Sequence, residues 1–458
     1  MSDLKGKKIL VVGLGKSGMA AAMWLARQGS RVTVSDQRNG SDLDKSILGD
    51  LLKKGVILEL GRHNEKTFLQ TDLIVVSPGV PLDISPLVLA GKNGIPVIGE
   101  TELAVRYLKT PFIAVTGTNG KSTVVNLIGE MLKKEGKSVF VCGNIGCPLT
   151  SYIDGDQKAD YVVLEVSSFQ LDTIETFCPL ISLILNISPD HLDRYDDYNS
   201  YRRSKESIFS NQGKGHILIL NDDDPWLRKL KPGNEITVYR YGIKSGPERN
   251  AFLRNEKITA AIDEGETVAI NLNRFSLPGN HNKANVMAAV LTSLALKISQ
   301  SAMQEGVDHF KGLSHRLELA GSIKGVDFYD DSKATNIDAA IQSIKSFGRP
   351  LVLIAGGRHK GSDYAPLIEA ASDSVREAVF LGESSPLLAD AAGEKLSWSK
   401  AGNMDDAVSL AFGIAREGDA VLLAPACSSF DMFKDYVHRG MVFRKAVKGL
   451  SNGAEKEI

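Results

Sequence analysis

Phe112-Ile-Ala-Val-Thr-Gly-Thr-Asn-Gly-Lys-Ser-Thr123 reads as a short apolar strand that runs through a glycine-rich turn into a helix. A strand, a turn ending in Gly-Lys-Ser-Thr and a helix form a phosphate-binding loop. Backbone amides cradle phosphates, the lysine reaches the terminal phosphoryl groups and the hydroxyl meets Mg²⁺. The spacing is shorter than the usual GxxxxGK pattern, because Val115 stands where the first glycine would be. Lys121 and Ser122 are the chemical centre of this reading.

A second turn of the same grammar lies upstream. Lys8-Ile-Leu-Val-Val12 leads into Gly13-Leu-Gly15-Lys-Ser-Gly18, and Asp36 closes the next strand 18 residues beyond Gly18. This is the dinucleotide-binding context, with glycines admitting a diphosphate to a helix N-terminus. An NAD-dependent oxidoreductase is therefore one expectation, although the motif does not separate NAD from other diphosphate-bearing nucleotides. A tight turn with no ligand is the plainer reading.

Outward from these turns, three blocks alternate strand and helix signals, the pattern of parallel sheets covered by helices. The fold class expected is α/β with three domains, at 1–99, 100–312 and 313–458. An alternating stretch at 258–276 reads as antiparallel strands added to the middle domain. A length of 458 residues fits three domains. Lys plus Arg number 54 against 55 Asp plus Glu, a balance that argues against nucleic acid or an anionic membrane as the main partner. The four cysteines form no CxxC pair and are too sparse for a disulfide scaffold. No apolar run approaches the ~18 residues of a membrane span, and no signal peptide precedes the first strand. A reduced, cytoplasmic protein, monomeric and acting on small molecules, is expected.

Other polar groups fall at strand ends. Glu165 terminates the apolar strand Tyr161–Glu165, where a carboxylate is costly unless paired or metal-bound. His191, in Asn186-Ile-Ser-Pro-Asp-His191, follows another strand on the same edge as the phosphate loop. Lys205 reads on spacing alone as a solvated helix lysine. In the third block Ser314-His-Arg316, Asp331-Ser-Lys333-Ala-Thr335-Asn336, Gly356-Gly-Arg-His-Lys360 and Ala424-Pro-Ala-Cys-Ser-Ser429 surround strand ends, where open α/β sheets bind ligands.

Taken in order, TGTNGKST, LEVSSFQL, NISPDHLDRY, LPGNHNKANVMAA, FKGLSHRLE, DDSKATN and LLAPACSSFDMF resemble the Mur ligases of bacterial peptidoglycan synthesis over essentially the whole chain. The resemblance implies a Rossmann-like N-terminal domain for a UDP-sugar substrate, a central ATPase domain and a Rossmann-like C-terminal domain. The first glycine turn would then hold uridine diphosphate. SSFQL and DDSKATN imply that D-glutamate is joined to UDP-N-acetylmuramoyl-L-alanine through an acyl phosphate, with release of ADP and phosphate.

By the same resemblance Thr118, Asn119, Gly120, Lys121, Ser122, Thr123 and Val124 wrap the ATP phosphates. Asn282, Asn285, Arg316 and Asp331 contact adenine, ribose and phosphates. Ser122 and Glu165 hold one Mg²⁺, His191 and a carbamylated Lys205 a second, and Lys121, His191 and Lys205 are the catalytic set. Ser17, Asp36, Gln37, Arg38, Asn144 and Gln170 face the UDP-substrate. Lys333, Thr335, Lys360, Ser429 and Tyr436 face D-glutamate. His359 departs from the acidic residue expected before Lys360. A nucleotide switch that does no ligation is a further alternative.

Overall fold

The computed structural model describes residues 4–454 except 192, 234, 247 and 263–266. Three sheets follow one another along the chain. The first joins β1 (Lys8–Val12), β2 (Arg31–Asp36), β3 (Ile57–Leu60), β4 (Leu73–Val76) and β5 (Val97–Gly99) in the parallel order β3-β2-β1-β4-β5. Ile9, Leu10, Val11 and Val12 are buried, as continuous apolar runs are when helices cover both faces of a parallel sheet.

The second sheet contains β6 (Phe112–Thr116), β7 (Val139–Gly143), β8 (Tyr161–Glu165), β9 (Ile181–Ile184), β10 (Ile217–Asn221), β11 (Thr237–Gly242), β12 (Ala251–Arg254), β13 (Lys257–Ala260) and β14 (Val268–Asn271). Its order is β14-β13-β12-β11-β10-β9-β6-β8-β7. Pairing is parallel from β7 to β12 and antiparallel from β12 to β14. The alternating stretch thus becomes an antiparallel extension, and residues 263–266 within it lie outside the described residues.

The third sheet runs β15 (Glu318–Ile323), β16 (Val326–Asp330), β20 (Ala420–Leu423), β17 (Leu351–Ala355), β18 (Val375–Phe380) and β19 (Trp398–Lys400). It is parallel but for β15. Among the described residues no helix is long and apolar enough to cross a membrane.

Strand order reverses at β1, at β6 and around β20. Reversal leaves a crevice beyond the strand's carboxyl end, and the polar motifs occupy these crevices. Gly18 opens the helix Lys16–Arg27, where a Cβ would fall 1.9 Å from the Gly13 carbonyl oxygen, so only glycine brings helix and turn this close. Gly120, at φ +87°, caps the helix Lys121–Lys134, and a Cβ there would meet Asn285 Oδ1 at 2.4 Å. The segment that follows β5 is riveted to the middle domain by buried carboxylates. Glu100 accepts from the Thr150 amide and hydroxyl, and Glu102 from the Glu175 and Thr176 amides.

Candidate active site

The phosphate loop is held open by the residue that follows the neighbouring strand. Asn186 O accepts from Thr118 N at 2.9 Å, its Oδ1 accepts from Asn119 N at 2.8 Å, and its Nδ2 donates to Asn119 O at 3.1 Å. Lys121 Nζ folds over the loop and donates to the carbonyls of Gly117 and Thr118 at 2.8 and 3.0 Å. Burial lowers its pKa, against the pull of Glu165 and Asp190.

Glu165 ends β8 and is buried. Its Oε1 accepts from Asn144 Nδ2 at 2.8 Å, while its Oε2 is buried with no hydrogen-bond donor among the described residues. Burial would raise this carboxyl's pKa, but Lys121 and the polar neighbours outweigh it and hold it below the ordinary value. Ser122 Oγ accepts from Arg316 Nη2 at 2.8 Å, a contact from the third domain into the loop.

Lys205 lies on the helix Tyr198–Glu206 and is 2% exposed, far from the solvated lysine that its spacing suggests. Its Nζ donates to Gly117 O at 3.0 Å and lies 4.6 Å from the Tyr201 ring centroid. Burial, reinforced by Lys121, drives its pKa far down, which favours the uncharged amine. His191 takes a left-handed backbone at φ +55°, uncommon for a non-glycine residue. Its ring packs edge-on against Phe169. Burial pulls its pKa to about 4 despite Asp190, so the imidazole is neutral at ordinary pH.

Three cavities surround this centre. One of 470 Å³ is lined by Asn119, Gly120, Thr123, Asn282, Asn285, Arg316 and Asp331. Asp331 is pushed up to about 6 by burial, against Ser343 and Arg316. A second, of 600 Å³, brings Ser17, Asp36, Arg38, Asn144 and Gln170 opposite Tyr436. A third, of 620 Å³, joins Thr118, Lys121, His191 and Lys205 to Thr335, Lys360, Ser429 and Tyr436. Ser122 and Glu165 line both of the larger two, and Lys333 lines all three. Lys333 Nζ is 4.0 Å from the Tyr436 ring centroid, and burial lowers its pKa to about 8.

Two expected residues stand apart from these cavities. The Val124 side chain is buried in the apolar core of the middle domain, and Gln37 is exposed. Asp190 had gone unnoticed. It is buried and accepts from Lys360 Nζ at 3.1 Å and Asn336 Nδ2 at 3.0 Å, fastening the third domain to the second. Asn119 Nδ2 adds a 2.8 Å bond to Asp338 Oδ2. No local signal separates Asp190 from Asp193, because its partners are some 150 residues away or more.

The Asp36 carboxylate accepts from Leu14 N at 2.6 Å and from the Arg38 amide and guanidinium. Both oxygens are in use, so the acid that a nicotinamide dinucleotide's ribose would need is already spent.

Family profiles match the chain in three consecutive segments. They are the Mur ligase MurD-like N-terminal domain over residues 7–99, the Mur ligase middle domain over 115–293 and the Mur ligase glutamate ligase domain over 315–427. The chain belongs to the Mur ligase family. Among family members, the UDP-N-acetylmuramoylalanine--D-glutamate ligase of Desulfosudis oleivorans is 43% identical over 455 residues, 98% of each chain. The enzyme of the same name from Acidobacterium capsulatum is 44% identical over 447 residues, 97% of each. Two solved structures share the Mur ligase fold. A pseudomurein peptide ligase type C from Methanothermus fervidus has a TM-score of 0.61 at 21% identity, covering 97% of this chain and 100% of that one. A MurF ligase from Thermotoga maritima in complex with ADP has a TM-score of 0.61 at 16% identity, covering 100% of both.

Proposed function

We propose that this Mur ligase joins D-glutamate to UDP-N-acetylmuramoyl-L-alanine at the expense of ATP, in the synthesis of a peptidoglycan precursor. The observation that carries the reading is the meeting of three cavities at Lys333, the larger two sharing Ser122 and Glu165 as well, one cavity for each reactant. The nucleotide occupies the cavity of Asn282, Asn285, Arg316 and Asp331. The UDP-sugar extends from Ser17 and Arg38 toward Asn144 and Gln170. The amino acid lies among Lys333, Thr335, Lys360, Ser429 and Tyr436.

The alanyl carboxylate attacks the γ-phosphorus of ATP in line. A bond forms from carboxylate oxygen to phosphorus, the bond to the bridging oxygen breaks, and ADP leaves with that electron pair. Two anions meet in this step, and Lys121, Arg316 and Lys333 supply fixed positive charge where they meet. The deprotonated D-glutamate amine then adds to the acyl carbon, and the tetrahedral intermediate collapses to an amide and inorganic phosphate. The amine's proton passes to an oxygen of the phosphate, or to the neutral His191 when that ring holds no cation.

The buried, unpartnered Glu165 Oε2 beside Ser122 fits a cation. Among the described residues no three His, Cys, Asp or Glu side chains form a ready-made metal cluster, which suits Mg²⁺, a metal that keeps water and phosphate ligands. When bound, Mg²⁺ neutralises phosphate charge, with Ser122 and Glu165 holding one ion and His191 and Lys205 a second. Lys205 would fit that role as a carbamate: burial favours its uncharged amine, whose nitrogen would add to carbon dioxide and release a proton to solvent, leaving an anion.

The test is phosphate release from ATP in the presence of UDP-N-acetylmuramoyl-L-alanine, with D-glutamate, with L-glutamate and with neither. Release that depends on D-glutamate is expected. Equal rates in all three would eliminate the reading and favour the switch.

A further inference from the structure

Arg439 is the largest side chain buried at under 2% exposure, on the helix Tyr436–Ala454. A buried guanidinium ordinarily bonds a carboxylate. Among the described residues this one bonds none. Its Nε donates to Ser332 Oγ at 2.9 Å, its Nη2 to Ser332 O at 2.8 Å and its Nη1 to Cys427 O at 3.1 Å. Burial brings its pKa down to about 10, so it remains charged at neutral pH. A hydrophobic side chain of similar volume would leave the acceptors of Ser332 and Cys427 buried without this donor. Packing alone therefore does not account for the guanidinium.

The bonded groups say what does. Ser332 immediately precedes Lys333, and Cys427 lies two residues before Ser429. A third loop is tied to the second, Arg358 N donating to Ser428 O at 2.9 Å and Ser428 N to Arg358 O at 3.2 Å, and it passes close to the guanidinium. Gly357, three residues before Lys360, has φ +139°, and a Cβ there would fall 3.3 Å from Arg439 Nη1. Ser332 Oγ in turn donates to Tyr436 O at 2.8 Å, so the start of the same helix is tied in. One planar fork thus sets the spacing of the loops after β16 and β20, and the loop after β17 follows through its bonds to Ser428. An ammonium, with its donors on a single point, cannot do this.

We infer that Arg439 is a positioning residue for the acceptor amino acid, fixing Lys333, Lys360, Ser429 and Tyr436 relative to one another without touching the substrate. The inference rests on those residues forming the D-glutamate side of the proposed ligase. Its positive charge beneath the pocket also favours an anionic acceptor over a neutral one.

Steady-state kinetics of wild type, Arg439→Lys and Ser332→Ala, with each reactant varied in turn, test the inference. R439K is expected to raise the KM for D-glutamate about tenfold or more and to lower kcat less, because ångström-scale misplacement costs on the order of a hundredfold in rate. The KM values for ATP and the UDP-substrate should stay within about twofold. S332A, which removes one prong's acceptor and is the milder change to the fold, should move the same constant in the same direction by less. An unchanged D-glutamate KM in both variants, or three KM values rising together with a falling melting temperature, would overturn the inference. Wild-type phosphate release indifferent to D-glutamate would instead sink the ligase reading, and this inference with it.

Discussion

The turn after β1 and the turn after β6 share one local design. Each leaves the first strand of a parallel sheet, uses glycines to let a helix N-terminus come close, and opens into a crevice where strand order reverses. They differ in what becomes of their charges. In the first, Asp36 is saturated by the Leu14 amide and by Arg38. In the second, among the described residues, Lys121 and Lys205 donate to loop carbonyls and to no carboxylate, and one oxygen of Glu165 has no hydrogen-bond donor. A turn whose charges are already matched can hold a ligand in place. A turn whose buried charges are left over can stabilise charge that appears only during a reaction. Glycine pattern alone does not distinguish the two, whereas the ledger of unpaired groups does.

Removing the excess charge is the strongest way to break this contrast. Lys121→Ala should cut D-glutamate-dependent phosphate release by at least about a thousandfold, with an unaltered circular dichroism spectrum. Retained turnover would show that the two turns do not differ in kind. Lys205→Ala should lose about a hundredfold or more, and acetate or formate in the buffer should return part of the activity. Full activity without additive would remove the carbamate from the account.

The first turn should answer in stability. Gly18→Ala puts a methyl group into the Gly13 carbonyl and should cost about 2–3 kcal/mol by urea denaturation. Gly15→Ala, with nothing within 4 Å of its new Cβ, should fall within about 0.5 kcal/mol of wild type.

The smallest effect expected is one of acid stability. Burial would raise the Asp36 carboxyl, but Arg38 and the Leu14 amide hold it down at about 2 against an ordinary 3.8. A depressed carboxyl stabilises the fold above its unfolded pKa, and that stabilisation is lost as pH falls through the folded value. Wild type should therefore lose urea resistance from about pH 4 down to about pH 2, and Asp36→Asn should show a shallower decline over that window. Matching profiles would mean that the ion pair is energetically idle.

The three-sheet α/β architecture was legible because parallel strands buried on both faces read as unbroken apolar runs. Short edge strands such as β5 and β19 escaped, since three residues carry no periodicity. Within the site, Glu165 announced itself as an acid ending an apolar strand. Lys205 did not, because its burial comes from packing beside Tyr201 and the loop at Gly117, 88 residues distant in sequence. Asp190 and Arg439 escaped for the same reason, their partners lying 146 and 107 residues away. Gln37 shows the converse: the resemblance sets it with Asp36 and Arg38 on the UDP-substrate, but its side chain is exposed and lines none of the three cavities.

Because Lys333 borders the three cavities of the site, they meet at one side chain. An inhibitor that tethers a fragment lodged near Asn282 to another near Gln170 could pass this junction, and joining two weak binders by a short rigid bridge multiplies avidity through local concentration. The anchor point such a compound should engage is the amine that rests on Tyr436.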